Sequence, residues 1–536
     1  MHNQQLIKRL NFGLFFLLGL YIALTFDQHG ISNDEEVQHI YGRLLLNFYN
    51  SGFVDQSAFH YKNLYLYGGF FDLIAAMLEK IVPIWIWDMR HLLSAIFGFF
   101  GFIASYKIAC ILKDERAGLL VILLLFLTGS WSGAMFTHTK DVPFATCMTW
   151  ALYYIIKISR ELPNPSLGNT IKLGLAIGCS LGLRVGGIFS IFYLIATISY
   201  VGSVTFNQVS DKINFWFVSF KNLLPAAIVA FGLMAIFWPW AVTAPDHPLE
   251  AAEAFSHFSF NMTTIIDHHV VDIANVPRYY LIAYLIVRLP EIILIGLSGF
   301  VFLAIKNARF IDIKDPKYCS LFIIVLSTLF PLVFTLIDKP ALYNGIRHFT
   351  FILPPISIIS ALGIIMTWDY LKFFRNYRIA FLSVIVFLGL CTFITLFKLH
   401  PYEYIYYNNL AGNLPEAESD WEADYWSSSL KEASRLLEEE IKQEELKSNV
   451  HLTHPYLVAV CAEDIQGQAY LGKNFQVTKN WIAADFYIST TSMNCDKVLR
   501  GKMIGKVERM GAILAVIKDR RSLIGPMRLP HQAPRN

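Results

Sequence analysis

The sequence predicts a polytopic α-helical membrane protein of about eleven crossings, followed by a small C-terminal soluble α/β domain. Three observations predict it. Of 536 residues, 55% are hydrophobic and only 16% charged, whereas soluble domains carry about a quarter charged residues. The apolar residues gather into runs long enough to cross a bilayer, about 20 residues for about 30 Å of hydrocarbon. After residue 398 the composition changes abruptly to a charged, mixed tail. A net charge of +3 is too mild to suggest a nucleic-acid partner, and topology accounts for the basic residues.

Taken in order, the candidate crossings are 10–26, 89–112, 117–136, 143–159, 171–187, 188–205, 222–240, 279–305, 318–337, 349–368 and 379–397. The fifth and sixth abut and read equally as one long broken segment. Residues 68–87 are apolar but interrupted by Asp72, Glu79 and Lys80, which reads as an interfacial helix. No A-x-A-like cleavage site follows the first run, so it reads as a retained span rather than a signal peptide.

Basic residues set the orientation. Lys8 and Arg9 precede the first run, and alternate loops then hold Lys113 and Arg116, Lys157 and Arg160, Lys212 and Lys221, Lys306 to Lys317, and Lys372 to Arg378. Because basic loops stay cytoplasmic, the N-terminus is expected inside and the tail outside a plasma (inner) membrane. The expected division is a transmembrane body over 1–398, with extracytoplasmic loops at about 27–88 and 241–278, and an extracytoplasmic α/β domain over 399–536. Loops of that length are usually folded or functional.

Within the tail, residues 427–447 place apolar side chains at helical spacing against a charged face, which predicts a surface helix. Strand-prone runs follow at 456–461, 485–490 and 512–517, hence the α/β expectation. Five of seven cysteines lie in or beside apolar runs; Cys461 and Cys495 lie in the tail. An oxidising compartment can join those two, and the sequence leaves the pairing open.

Five polar constellations carry possible chemistry. Asp34-Glu35-Glu36 follows the first run. It reads either as the first turn of a helix capped by Ser32 or Asn33, where acidic residues suit the dipole, or as a general base or cation ligand at a membrane face. His138-Thr139-Lys140-Asp141 precedes Pro143 and is either a helix start or a cation placed for an arriving phosphate. Arg184 in GLRVGG (182–187) is costly inside an apolar segment and so suggests function, with snorkelling as the plainer account.

In the loop before the tenth run, Tyr343-Asn344-Gly345-Ile346-Arg347-His348 offers phosphate donors, Arg347 as a planar fork, or ordinary interfacial anchoring. His400-Pro401-Tyr402-Glu403-Tyr404 after the last run reads mainly as an aromatic belt. All five fall on one side of the expected topology, which suggests one site holding a carboxylate and several cations. His268, His269 and Asp272 have a spacing that suits a metal, but exposed histidines are commoner than ligands; no metal and no cofactor is predicted. The sequence lacks a nucleophile elbow, a P-loop and a zincin motif, which argues against those mechanisms.

The ordered set of Asp34-Glu35, K-D-V-P-F (140–144), L-R-V-G-G (183–187), N-G-I-R-H-F (344–349), and H-P-Y-E-Y (400–404) through D-Y-W (424–426) resembles the GT-C membrane glycosyltransferases. These use polyprenyl-phosphate sugars and include protein O-mannosyltransferases and the lipid A aminoarabinose transferase. The resemblance covers roughly residues 1–430 and departs from the protein O-mannosyltransferases in lacking an obvious MIR domain. It implies an inverting transferase with an extracytoplasmic site. Asp34 would be the base, with Glu35 as fallback, and Lys140, Arg184, Arg347 and His348 would hold the donor phosphate. His138, Asp141, Tyr343, Asn344, Tyr402 and Glu403 are further candidates for substrate contact. The implied partners are a polyprenyl-phosphate-linked sugar, the bilayer and an extracytoplasmic protein, lipid or glycan acceptor. The competing readings are a secondary transporter, for which repeats and mid-span carboxylates are wanting apart from Glu291, and a non-catalytic receptor or scaffold.

Overall fold

The computed structural model describes residues 2–256, 262–308, 312, 314–448 and 454–524; residues 257–261 of the second long loop and 525–536 of the tail lie outside them. Each of the eleven apolar runs coincides with a helix or a bent pair of helices. Among the described residues, seven helices are long and apolar enough alone to cross a membrane, and up to nine spans result if each bent pair counts as one. The pairs are Glu115–Leu127 with Gly129–Thr137, bent by 79°, and Tyr280–Arg288 with Glu291–Lys306, bent by 114°. Hydropathy averages across such a bend, so each pair reads as one run in the sequence. Of the other two runs, one is the 15-residue helix Leu167–Leu181. The other is the helix Asp141–Ser159, which carries charged, hydroxyl and aromatic side chains.

The helices Val209–Phe237 and Arg375–Leu399 expose Phe217, Ile228, Phe231, Phe387 and Phe397. Exposed apolar surface on that scale suits hydrocarbon rather than water, and the chain is a multi-pass membrane protein. The helix Leu353–Tyr370 is central, with an almost fully buried span. It lies against Glu291–Lys306 through facing glycines: a Cβ on Gly363 would sit 1.9 Å from the Gly296 carbonyl oxygen, so only glycine permits this approach.

Both long loops are folded. The first contains the amphipathic helix Glu35–Asn50, two 3₁₀ turns and the helix Phe70–Leu78. Its apolar face joins Trp238 and Trp240 in a core of its own. The expected interfacial helix over 68–87 is thus only nine residues long, and Asp72 turns inward, fully buried, because Arg90 waits there. The second loop holds the helix His247–Ser256 and a hairpin of β1 (Thr263–Ile266) and β2 (His269–Asp272).

The small C-terminal unit has a helix, Leu430–Ser448, on a five-stranded sheet. Its strands are β3 (Tyr456–Cys461), β4 (Phe475–Val477), β5 (Phe486–Thr490), β6 (Lys502–Arg509) and β7 (Ala512–Asp519), in the order β4-β3-β5-β7-β6. The strands β3 and β5 run parallel, while β7 is antiparallel to both its neighbours. Cys461 and Cys495 form a disulfide with Cα atoms 6.3 Å apart, within the ordinary span.

Candidate active site

Asp34 occupies the N-cap position of the helix Glu35–Asn50, yet its side chain makes no capping bond. Glu35 accepts the Ser32 N–H at 2.7 Å, ahead of the helix, and faces His91 Nε2 at 3.1 Å. The Asp34 side chain is 42% exposed and the Glu35 side chain 0%. Adjacent carboxylates therefore point to opposite fates. Asp34 meets Arg347, whose guanidinium donates to it at 3.4 Å.

Arg347 opens a 3₁₀ turn, Arg347–Ile352, directly after a left-handed pair at Asn344 and Gly345. That reversal carries the guanidinium inward. It donates to His348 Nε2 at 3.3 Å and to the Tyr343 hydroxyl at 3.5 Å, and lies 4.4 Å from the Trp426 ring and 4.9 Å from that of Tyr343. Aromatic faces stabilise a desolvated cation. Since His348 Nε2 accepts, that nitrogen carries no proton. Asn344 serves the turn itself rather than lining either cavity described below.

Arg184 stands in the extended break between the helices Leu167–Leu181 and Ile188–Thr205, so the abutting runs are two helices joined by an irregular turn. Its guanidinium pairs with Asp141. Lys140 occupies the N-cap position of the helix Asp141–Ser159 without a side-chain capping bond. Its Nζ is buried 3.7 Å from Asp72 and 4.5 Å from the Tyr67 ring centre, with no hydrogen-bond acceptor among the described residues. Burial lowers the lysine pKa, opposed in part by the Asp72 charge.

His138 is a neutral fixture. The Trp426 indole N–H donates to its Nε2 at 2.8 Å, so Nδ1 holds the proton and faces the Thr137 hydroxyl at 3.2 Å. Burial, with Arg347 nearby, pushes its pKa well down.

Two cavities meet here. A small polar recess, about 10 Å³, is lined by Asp34, His138, Lys140, Asp141, Arg184 and Trp426 among others. It holds about one water. The second cavity, about 320 Å³, is overwhelmingly apolar, walled by Phe144, Ile188, Phe189, Phe334, Phe349 and Phe351, with Tyr343 and His348 at its polar end. Arg184 lines both.

Three sequence candidates fall elsewhere. Glu35, the expected fallback base, is buried in an ion cluster in which Arg90 sits 3.0 Å from Asp72 and 3.8 Å from Glu35, and it lines neither cavity. Tyr402 donates to Glu432 at 2.9 Å under the Arg509 guanidinium, tying the C-terminal unit to the body. Glu403 is buried and accepts from Tyr21 at 3.1 Å, with His400 Nδ1 at 2.6 Å. Neither lines the cavities. His268 pairs with Asp420, and among the described residues no three ligand-type side chains gather. Sequence reasoning passed over Arg90, although an arginine at the start of an apolar run is the same signal that singled out Arg184. It also passed over Tyr67, which nothing in the sequence marks.

The architecture is similar to that of solved proteins at low identity. ArnT from Cupriavidus metallidurans in the apo state superposes with a TM-score of 0.50 at 14% identity, over 96% of this chain and 98% of that one. The same protein bound to undecaprenyl phosphate gives 0.48 and 13%, over 97% and 99%. The archaeal oligosaccharyltransferase AglB from Archaeoglobus fulgidus, in complex with an inhibitory peptide and a dolichol-phosphate, gives 0.47 and 12%, over 90% and 69%. No family model matches the sequence, and no curated protein matches it. The fold of this chain is similar to that of ArnT over nearly the whole length of both chains.

Proposed function

We propose that this chain is a membrane glycosyltransferase that moves a sugar from a polyprenyl phosphate to an extracytoplasmic acceptor hydroxyl. One observation carries the reading: a single guanidinium, Arg184, borders both a phenylalanine-walled cavity and a cationic recess containing an accessible carboxylate. A lipid phosphate has those two chemistries, joined at one bond. Its tail suits the apolar walls, and its phosphate suits Arg184, Arg347 and Lys140.

In this mechanism Asp34 accepts the proton of the acceptor hydroxyl. The acceptor oxygen bonds to the anomeric carbon, and the bond from that carbon to the phosphate oxygen breaks. The phosphate leaves with the electron pair, and the cations hold its developing charge. Attack opposite the phosphate inverts the anomeric centre. An arriving phosphate competes with Asp34 for Arg347, so donor binding frees the carboxylate to meet the acceptor hydroxyl.

The site is proposed to face the extracytoplasmic side, with the N-terminus inside, the transmembrane body over 1–398 and the unit over 399–536 outside. Two observations support one basic face remote from the site: Lys113 pairs with Asp369 at 3.2 Å, and Arg160 donates to Ser320 at 3.4 Å, joining loops that the charge rule assigns to the cytoplasm. The reading is tested by mass spectrometry of glycans and glycolipids from a deletion strain complemented with wild type or Asp34→Asn. The glycan missing from the deletion strain returns with wild type and not with Asp34→Asn. Its return with Asp34→Asn removes the proposed base.

A further inference from the structure

The segment between the first helix and Asp34 is fastened largely by the C-terminal part of the chain. Lys431 Nζ donates to the His29 carbonyl at 2.9 Å. The Ile31 N–H donates to the Tyr470 hydroxyl at 2.9 Å, and its carbonyl accepts from Gln466 Nε2 at 2.6 Å. The Asn33 amide donates to the Tyr425 carbonyl at 3.0 Å. At Gly30 the contact is backbone to backbone: a Cβ there would lie 2.2 Å from the Ser428 carbonyl oxygen.

Gln466 is fully buried, and its amide is completely used. One N–H goes to Ile31, the other to the Trp426 carbonyl at 2.9 Å, and its oxygen accepts the Glu463 N–H at 3.2 Å. Ile31 lies three residues before the carboxylate, and the ring of Trp426 backs the Arg347 guanidinium. A single side chain thus spans the gap between the loop bearing the base and the shelf bearing the cation. Neither partner, Ile31 nor Trp426, belongs to the sheet.

We infer that Gln466 and Tyr470 are positioning residues for Asp34, and that the C-terminal unit serves the reaction by holding the 27–33 loop at a set distance from the Arg347–Trp426 shelf. The inference rests on the reading of Asp34 as base. A carboxylate that must meet an acceptor hydroxyl within hydrogen-bond reach loses rate steeply with small displacements. The donor site, built from Lys140, Arg184 and Arg347, does not depend on the Tyr470 hydroxyl.

The test uses the full chain in proteoliposomes, with tritiated polyprenyl-phosphate hexoses supplied in turn and membranes of a deletion strain as acceptor. Tyr470→Phe lowers the rate at saturating donor about tenfold, while donor KM and the Kd for undecaprenyl phosphate stay within about twofold of wild type. Tyr487→Phe, which removes a 2.6 Å bond to the Cys495 carbonyl in the same unit, leaves all three unchanged. The double variant Asp34→Asn/Tyr470→Phe loses no more than Asp34→Asn alone, because the two act as one unit. If Tyr470→Phe does not accumulate, Gln466→Met makes the same test through the other bond. A wild-type rate in Tyr470→Phe beside an inactive Asp34→Asn overturns the positioning inference alone, and so does an equal loss in Tyr487→Phe. Full transfer by Asp34→Asn overturns the base and the inference together.

Discussion

Two charged regions lie back to back in this molecule and differ in what surrounds them. At the recess, Asp34 and Arg184 line the space, and Arg347, itself largely buried, reaches Asp34 only at 3.4 Å. Behind it, Glu35, Asp72, Arg90 and His91 are sealed from solvent and face one another. Lys140 belongs to both, lining the recess while facing Asp72. For the two adjacent carboxylates, the difference teaches that burial, not residue type, decides which one faces the recess. Neighbours in the sequence, Asp34 and Glu35, fall on opposite sides of that division.

The sharpest way to break this comparison is to remove each carboxylate in turn. Asp34→Asn lowers transfer by about 10²–10⁴-fold, the usual worth of a positioned base, and leaves thermal stability near wild type. Glu35→Ala does the reverse: it strips the Ser32 N–H of its acceptor and Arg90 of a buried counter-charge and costs about 3–5 kcal/mol of stability, read as a lower Tm and yield. Wild-type stability in Glu35→Ala dissolves the scaffold assignment.

Next in size is the cation shelf. Arg347→Lys keeps the charge but loses the planar fork and its stacking on Trp426 and Tyr343, so donor KM rises about 10-fold or more while the protein folds normally. An unchanged KM places the phosphate elsewhere.

The smallest effect is a pH dependence at Lys140. Its pKa is lowered by burial, so the ammonium is lost at lower pH than an ordinary lysine loses it. Donor affinity therefore falls as pH rises through the alkaline range, and a bound phosphate, as an opposite charge, delays that fall. Lys140→Arg does not titrate there and removes the alkaline limb. Identical profiles in the two proteins take Lys140 out of the phosphate contact.

Much of this was legible in the residues themselves. The apolar runs located every candidate span among the described residues, and the rarity of arginine in apolar surroundings singled out Arg184. The tail strands at 456–461 and 512–517 stand at Tyr456–Cys461 and Ala512–Asp519. Other features depend on three-dimensional neighbours. β6 reads KMIGKVER, an edge strand whose charges hide it from a hydropathy reading. The bends at Thr128 and Pro290 vanish under averaging. Asp72 looked like a surface mark because its partner, Arg90, is 18 residues away in sequence. The choice between Asp34 and Glu35 could not be read either, since both suit a helix start and only the packing of His91 and Arg90 decides which is buried.

The central claim is that one lipid phosphate occupies the apolar cavity and the polar recess together, joined at Arg184. Photo-crosslinking of the reconstituted protein with a polyprenyl phosphate carrying a tail benzophenone, mapped by peptide mass spectrometry, tests it most directly. The account predicts adducts on the cavity wall, at Phe189, Phe334 or Phe351, which undecaprenyl phosphate competes away and Arg184→Ala strongly diminishes. Adducts confined to the outward faces of Val209–Phe237 and Arg375–Leu399, unchanged by Arg184→Ala, would contradict it.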